Sequence, residues 1–322
     1  MPFSTPTAGD VHVNVPLTNF AQKYLQDQMN FIATRAMPML PVTKQSDQYY
    51  IFSRDDFYRD QAQIRADGTE SQGGGFTLSS ETYFSDVYAF HKLVTDRQRL
   101  NQDEVINLDQ SATQYVMHKM LIRREREFQD TFVKASVWDT DFTPTTKWNA
   151  ANSTPIEEIR TGKRTVMGNT GYMPNRMIMA RDVYDTLLDN DAVLDRINGG
   201  ATTALPALVQ RQRLAEILEL DEIFVMDAVY NSSLEGAASQ STQFVLTDGA
   251  LLYYAPASVG PEEPSAGVAF NWTGMGGSSP AGTRIKRIRN EDKEADKIEA
   301  QMSFDHKVTG SELGYFFNDV LA

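Results

Sequence analysis

The densest group of residues able to do chemistry is RDDFYRD, Arg54 to Asp60, which sets Asp55, Asp56 and Asp60 close together. Three neighbouring carboxylates can hold a divalent ion and activate water, the chemistry of a soluble metal-dependent hydrolase. Arg54 and Arg59 interrupt that negative run, and alternating signs are also what one protein surface uses to pair with another. Paired charge alone says little about catalysis, so the stretch reads first as a contact surface.

The other candidates are weaker. His12, His91, His118 and His306 are the only histidines, and none stands at ligand spacing from another, so they read as structural. GMGGSSPAG, Gly274 to Gly282, has the glycines of a phosphate cradle but lacks the GKS or GKT ending, and reads as a loop. RIKRIR carries Arg284, Lys286, Arg287 and Arg289, the one basic cluster of note. It suits either contact with a nucleic-acid backbone or a solvated strand face balanced by the acids from Glu291 to Glu294, and the second is favoured. The serines and threonines lack histidine and aspartate partners at motif spacing. No catalytic residue, metal or cofactor is expected.

Composition narrows the classes further. The chain has 322 residues, 41% of them apolar, a formal charge of -13 and a sequence pI near 4.8. It can bury a sizeable core, and its acidity argues against a protein whose main task is gripping phosphates. An acidic wall still suits a container, because it does not glue its cargo in place. With no cysteine there are no disulfides, thiolate nucleophiles or cysteine metal sites. MPFSTPTAGD does not read as a secretory signal, and no stretch nears the roughly 18 apolar residues of a membrane span. The chain reads as soluble, made in a cytoplasm.

Five pieces must position these residues. Residues 1 to about 45 carry Pro2, Pro6, Pro16, Pro38 and Pro41 and read as an extended arm, with one short helix between Asn19 and Ala36. Gln45 to His91 reads as one long hairpin, with YYIF in its first limb, Phe76 to Phe90 in its second, and Gly73, Gly74 and Gly75 ending a polar tip. A two-stranded ribbon is marginal alone in water, so one with so many aromatics needs a surface, which another copy can supply. Asp103 to about Trp138 has the best helical period, with Val105, Leu108, Ala112, Val116 and Met120 on one face, and would span about 50 Å.

Pro155 opens a second helix, and GNTGYMPN turns the chain into a strand at Arg176 to Ala180. Helices follow near Arg181 and over Leu205 to Leu220, with strands at Ile223 to Met226 and Phe244 to Ala255, the latter with a turn at Asp248 and Gly249. This alternation predicts an α/β lobe. Arg284 to Asp292 and Ile298 to Val308 return to strand pattern.

The order of arm, glycine-tipped hairpin, spine helix, α/β lobe and returning strands resembles the tailed-phage major capsid proteins of the Hong Kong 97-type fold. RAMPMLPVTKQSDQYYIFSRDDFYRD, LIRREREF, MPNRMIMARDVYDTLLD and KIEAQMSFDHKVTGSELGYFF carry the likeness, which covers nearly the whole chain. The resemblance implies an α+β fold with an N-terminal arm at 1–46, an E-loop at 47–91, a peripheral domain at 92–154 closed by strands at 281–322, and an axial domain at 155–280. It implies a virion shell of pentamers and hexamers, icosahedral, around double-stranded DNA, with a portal protein, a separate scaffolding protein and a decoration protein as partners, and no membrane. Tyr49, Tyr50, Phe52, Phe57 and Phe84 are expected to make apolar contact between subunits, and Arg54, Asp56, Arg59 and Asp60 to pair charges.

Two departures from the best-known member matter. That member cross-links its shell through an E-loop lysine, yet no lysine lies between Lys44 and Lys92, so covalent chainmail by that route is not expected. It also carries a long N-terminal scaffolding region, whereas the arm here is short; with Met1 as the native start, assembly uses a separate scaffolding protein or none. An encapsulin, the cellular nanocompartment with the same fold, is the rival reading, and the hydrolase is the reading from another class.

Overall fold

The computed structural model describes residues 25–101, 107–197, 211–258, 260, 263–274 and 282–322. Its elements are β1 (Met39–Val42), β2 (Ser46–Phe52), α1 (Arg54–Phe57), β3 (Leu78–Phe84), β4 (Asp86–Thr95), α2 (Asp96–Leu100) and α3 (Leu108–Phe132). Next come β5 (Asp141–Phe142), α4 (Pro155–Thr170), β6 (Arg176–Ala180), α5 (Arg181–Asp189), α6 (Asp191–Ile197), α7 (Arg211–Leu218) and β7 (Glu222–Met226). The rest are β8 (Val229–Asn231), β9 (Thr242–Phe244), β10 (Gly249–Tyr253), β11 (Gly267–Trp272), β12 (Thr283–Asn290), β13 (Ala295–Val308) and β14 (Gly314–Asn318).

One sheet runs β1-β11-β13-β12, with β4 on the other side of β13. The spine helix α3 lies on it, burying Ala112, Val116 and Met120 against Val94 of β4 and Ile298, Ala300, Met302 and Phe304 of β13. Helical residues four apart thus meet alternate residues of a strand, which is how the two periods mesh. The second sheet, β5-β14-β10-β6-β7, is the floor of the α/β lobe. Its central strands are buried throughout, as at Met177 to Ala180 and Ala250 to Tyr253, which fits a sheet covered on both faces.

Several boundaries differ from the sequence reading. The spine is capped at its start by Asn107, whose Oδ1 accepts the Gln110 N–H at 3.0 Å; the expected start at Asp103 and the position of Val105 lie outside the described residues. It ends at Phe132, not Trp138, because the chain turns back there, Ser136 taking φ 65° and the Trp138 indole donating to Phe132 O at 2.7 Å. The short arm helix is also corrected in its described part: from Leu25 there is only a 3-10 turn, Gln28–Asn30, capped by Asp27. VHVNV and His12 lie outside the described residues, as does Leu205 to Gln210 of the helix expected at Leu205 to Leu220.

The base of the arm is core. Phe31, Ile32, Ala33, Ala36 and Met37 are buried, wedged between spine and lobe. Glu125 of the spine accepts the Ile32 N–H at 3.0 Å and the Ala33 N–H at 2.9 Å, while Ala36 O accepts from the Tyr253 hydroxyl at 2.6 Å. Lys163 is likewise turned inward, donating to the carbonyls of Leu218 and Glu219 at 2.9 and 2.8 Å beyond α7. These side chains supply partners that buried backbone ends require.

The second limb of the ribbon is also corrected. It divides at Ser85: β3 pairs with β2, Ser46 opposite Phe84 through Phe52 opposite Leu78, and β4 leaves to pair with β13. Buried Ser85 is the joint, its hydroxyl donating to Phe270 O at 3.3 Å and its carbonyl accepting from Ser303 at 3.1 Å. The strand expected over Phe244 to Ala255 is two strands separated at Asp248, which takes φ 51°. The last strand, β14, joins the lobe sheet beside β10, and β11 joins the spine sheet.

Candidate functional site

The ribbon has a covered root and a bare outer part. At the root Tyr83 stacks on Phe270, ring centroids 4.4 Å apart, and Tyr49 leans on the same ring at 5.5 Å. Burial there, with Glu81 accepting its hydroxyl at 2.7 Å, pushes the Tyr49 phenol up. Phe84 stands at the joint, its N–H donating to Asp305 at 2.9 Å and its ring exposed.

Further out, Phe52, Phe57 and Phe76 gather into one group, centroids 5.5 to 6.1 Å apart, with Phe57 stacked on Phe76. Both stacked rings are 59% exposed and Tyr50 is 65% exposed. Ring groups of this kind normally form buried or interfacial contacts. Of the residues expected to make apolar contact, Phe52 and Phe57 come together, Tyr50 points outward, and Tyr49 is turned into its own chain. Phe76 was missing from the expected set. Its place follows only from the strand register, which a single sequence does not give.

The charged residues divide too. Asp56 accepts the Thr77 N–H at 2.9 Å and the Thr77 hydroxyl at 2.6 Å, and lies 3.4 Å from Arg59. Those bonds from Thr77 hold its carboxyl below the usual range. Asp56 therefore closes the ribbon tip, and its partner Arg59 stays largely exposed. Among the described residues Arg54 pairs only with its neighbour Asp55, at 3.5 Å, and Asp60 is exposed. Among the described residues no group of three or more His, Cys, Asp or Glu is arranged to hold a metal ion. The tip touches its own lobe through Tyr58, whose hydroxyl donates to Thr170 O, a contact that the sequence did not signal.

Two of the four cations of the basic strand β12, Arg287 and Arg289, are neutralised by acids. Arg289 grips Asp96 with two bonds, 2.7 and 2.6 Å; Arg287 donates to Asp296 at 3.0 Å; and Arg99 bridges Asp109 and Asp296 at 2.8 and 2.6 Å. The arginine bonds lower the carboxyls of Asp96 and Asp296. The partners are chiefly Asp96 and Asp296, with Glu291 at 3.3 Å from Arg289 the one contributor from the expected acidic run. Lys286 sits opposite Glu299, and Arg284 opposite Gln301. The Gly274 to Gly282 loop lies, between its ends, outside the described residues.

A bare aromatic ribbon on a spine-and-lobe body has relatives. The family described as "Phage major capsid protein E" matches residues 126–260. Over 321 residues the chain is 25% identical to the major capsid protein of Burkholderia phage BcepMu, covering 96% of each. Sequence and fold together are those of a phage major capsid protein. A phage-related protein of Bordetella bronchiseptica RB50 superposes with a TM-score of 0.67 at 17% identity, over 92% of this chain and 94% of that one. The capsid of cyanophage P-SCSP1u gives 0.62 at 9% identity, over 99% and 96%. At such identities the two structures establish the fold, the Hong Kong 97-type arrangement. The capsid protein's place is the virion, its role is structural, and no helix among the described residues is long and apolar enough to cross a membrane.

Proposed function

We propose that the chain closes into pentamers and hexamers of an icosahedral head around double-stranded DNA, each ribbon lying on a neighbouring copy. The observation that carries this is the exposed group Phe52, Phe57 and Phe76, apolar area that one chain leaves uncovered. A weak apolar contact, repeated around a closed ring, becomes a strong one. Tyr50, Arg54, Arg59 and Asp60 border that contact, Phe84 offers a separate apolar contact at the joint, and Tyr49 and Asp56 hold the ribbon in shape. The divisions are an arm at 1–46, an E-loop at 47–91, a peripheral domain at 92–154 and 281–322, and an axial domain at 155–280, with β14 and β5 contributed to the axial sheet and β11 to the peripheral one. Portal, scaffolding and decoration proteins are the partners such a head would use. A catalytic role for the tip is disfavoured, since Asp56 is committed to Thr77.

The test is particle formation by the expressed chain and by two variants. Wild type should give particles of tens of nanometres in negative stain. Phe57→Asp and Arg59→Glu should lower particle yield while circular dichroism and solubility of the dispersed chain stay unchanged; normal yield from both would refute the ribbon's role.

A further inference from the structure

Arg287 and Arg289 of the basic strand singled out in the sequence are spent on acids, yet cations elsewhere are not. Tyr115, Lys119, Arg123 and Arg126 step by four, four and three along α3, so they share one stripe. Tyr88, Phe90 and Lys92 alternate along β4 on the side facing the helix: Tyr88 stacks on Phe304, Phe90 meets Tyr115 at 5.9 Å, and Lys92 lies over the Tyr115 ring at 5.2 Å. Lys119 lies over the same ring at 5.6 Å, Arg123 over Tyr88 at 5.2 Å, and Arg126 over Tyr230 at 4.6 Å.

Among the described residues no carboxylate comes within 4.0 Å of Lys92, Lys119 or Arg126, whereas Arg123 pairs with Glu127 at 2.5 Å. Glu127 and Asp86 are the acids whose charges reach Tyr88. In a chain of formal charge -13, three ordered cations without acidic partners stand out. The aromatic rings hold the cationic heads in place without neutralising them, since a ring attracts a cation with its face and carries no net charge. Two ammonium groups beside one ring repel each other, and an external anion relieves that.

We infer that this stripe of spine and β4 is the surface that meets the phosphate backbone of duplex DNA. This rests on the shell reading, because it takes the occupant to be the enclosed genome. From residue 115 to 126 the stripe is about 16 Å long, enough for a short run of phosphates, and its cations follow a line as a backbone does. The rings add no base reading, so contact is independent of sequence. Neutralising three phosphates gives a salt slope near -2.7, so affinity falls about 40-fold between 50 and 200 mM salt.

The test uses the full-length chain, dispersed and assembled, with a fluorescent 30-base-pair duplex read by anisotropy at 50 and 200 mM sodium chloride. Lys92→Gln/Lys119→Gln/Arg126→Gln is compared with Lys44→Gln/Arg213→Gln/Lys293→Gln, which removes the same charge elsewhere. The inference expects tenfold or greater loss and a flattened salt slope for the stripe variant, and less than twofold loss for the charge-matched control. Equal loss in the two variants, or no salt-dependent binding by wild type, overturns it. So does a stripe variant that binds DNA normally but fails to assemble, which would mark the stripe as a contact between copies. Particles are scored in parallel by negative stain with the scaffolding protein co-expressed: their absence in wild type would sink the shell reading, while binding to the dispersed chain reads the stripe on its own.

Discussion

Two buried groups under the spine should cancel each other's pH dependence. Glu125 is fully buried, and burial pushes its carboxyl up to about 7 from an ordinary 4.5, against the pull of the Ala33 and Ile32 N–H groups and of Arg124 and Arg35. His306 is enclosed by Phe128, Phe132 and Phe304, centroids 5.0 to 5.6 Å away, and burial, with the Arg124 charge beside it, pushes it down to about 3 from 6.5.

The folded chain holds the extra proton on Glu125 between pH 4.5 and 7, so that group's contribution is full below 4.5 and is lost as pH rises through 7. For His306 the unfolded chain holds the extra proton between pH 3 and 6.5, so stability falls as pH drops through that window. Each slope is about 1.4 kcal/mol per pH unit where both windows overlap, and the signs are opposite. His306→Phe removes one arm and leaves stability falling as pH rises. Glu125→Gln removes the other and leaves it rising. Urea unfolding of the dispersed chain at pH 5.0 and 6.5 should move each variant against wild type by roughly 2 kcal/mol, in opposite directions. Curves parallel to wild type in either variant would refute the reasoning.

Three further outcomes follow from packing and covalent chemistry. Gly314 begins β14 directly beneath the Trp138 indole, so an added methyl overlaps that ring; Gly314→Ala should destabilise the chain by about 1 to 3 kcal/mol, read in the same urea titration. Asp56→Asn removes a charged acceptor from Thr77 and should make the ribbon tip cleave faster in limited proteolysis while leaving the thermal midpoint of the body unchanged. Because the ribbon holds no lysine between Lys44 and Lys92, boiled and reduced particles should run as one monomer band, whereas a ladder would show cross-linking by another route.

The parts legible in the sequence were those set by local period and punctuation. Val116 and Met120 declared the spine, Pro155 and Gly171 bracketed α4, and Met177 to Ala180 was buried strand, as its unbroken apolar run suggested. What escaped was set by partners far along the chain. Ser85 divides the ribbon only because Phe270 and Ser303 bind it, and Arg287 and Arg289 lose their freedom only because Asp96 and Asp296 fold beside them. The place of Gly314 is fixed by an indole, that of Trp138, which must fit above it.

At the surface, residue type identified the ribbon as a contact element without saying which ring points outward. The alternation that turns Tyr49 inward and Tyr50 outward depends on register. Asp56 looked like a partner for another subunit because its bonds to Thr77 span the whole tip.

The most direct test of the central claim is a cryo-electron reconstruction of particles assembled from the intact chain. Phe57 and Phe76 should be covered by an adjacent copy in the shell. A closed shell in which those two rings remain bare to solvent, with the ribbon touching no other copy, would contradict it.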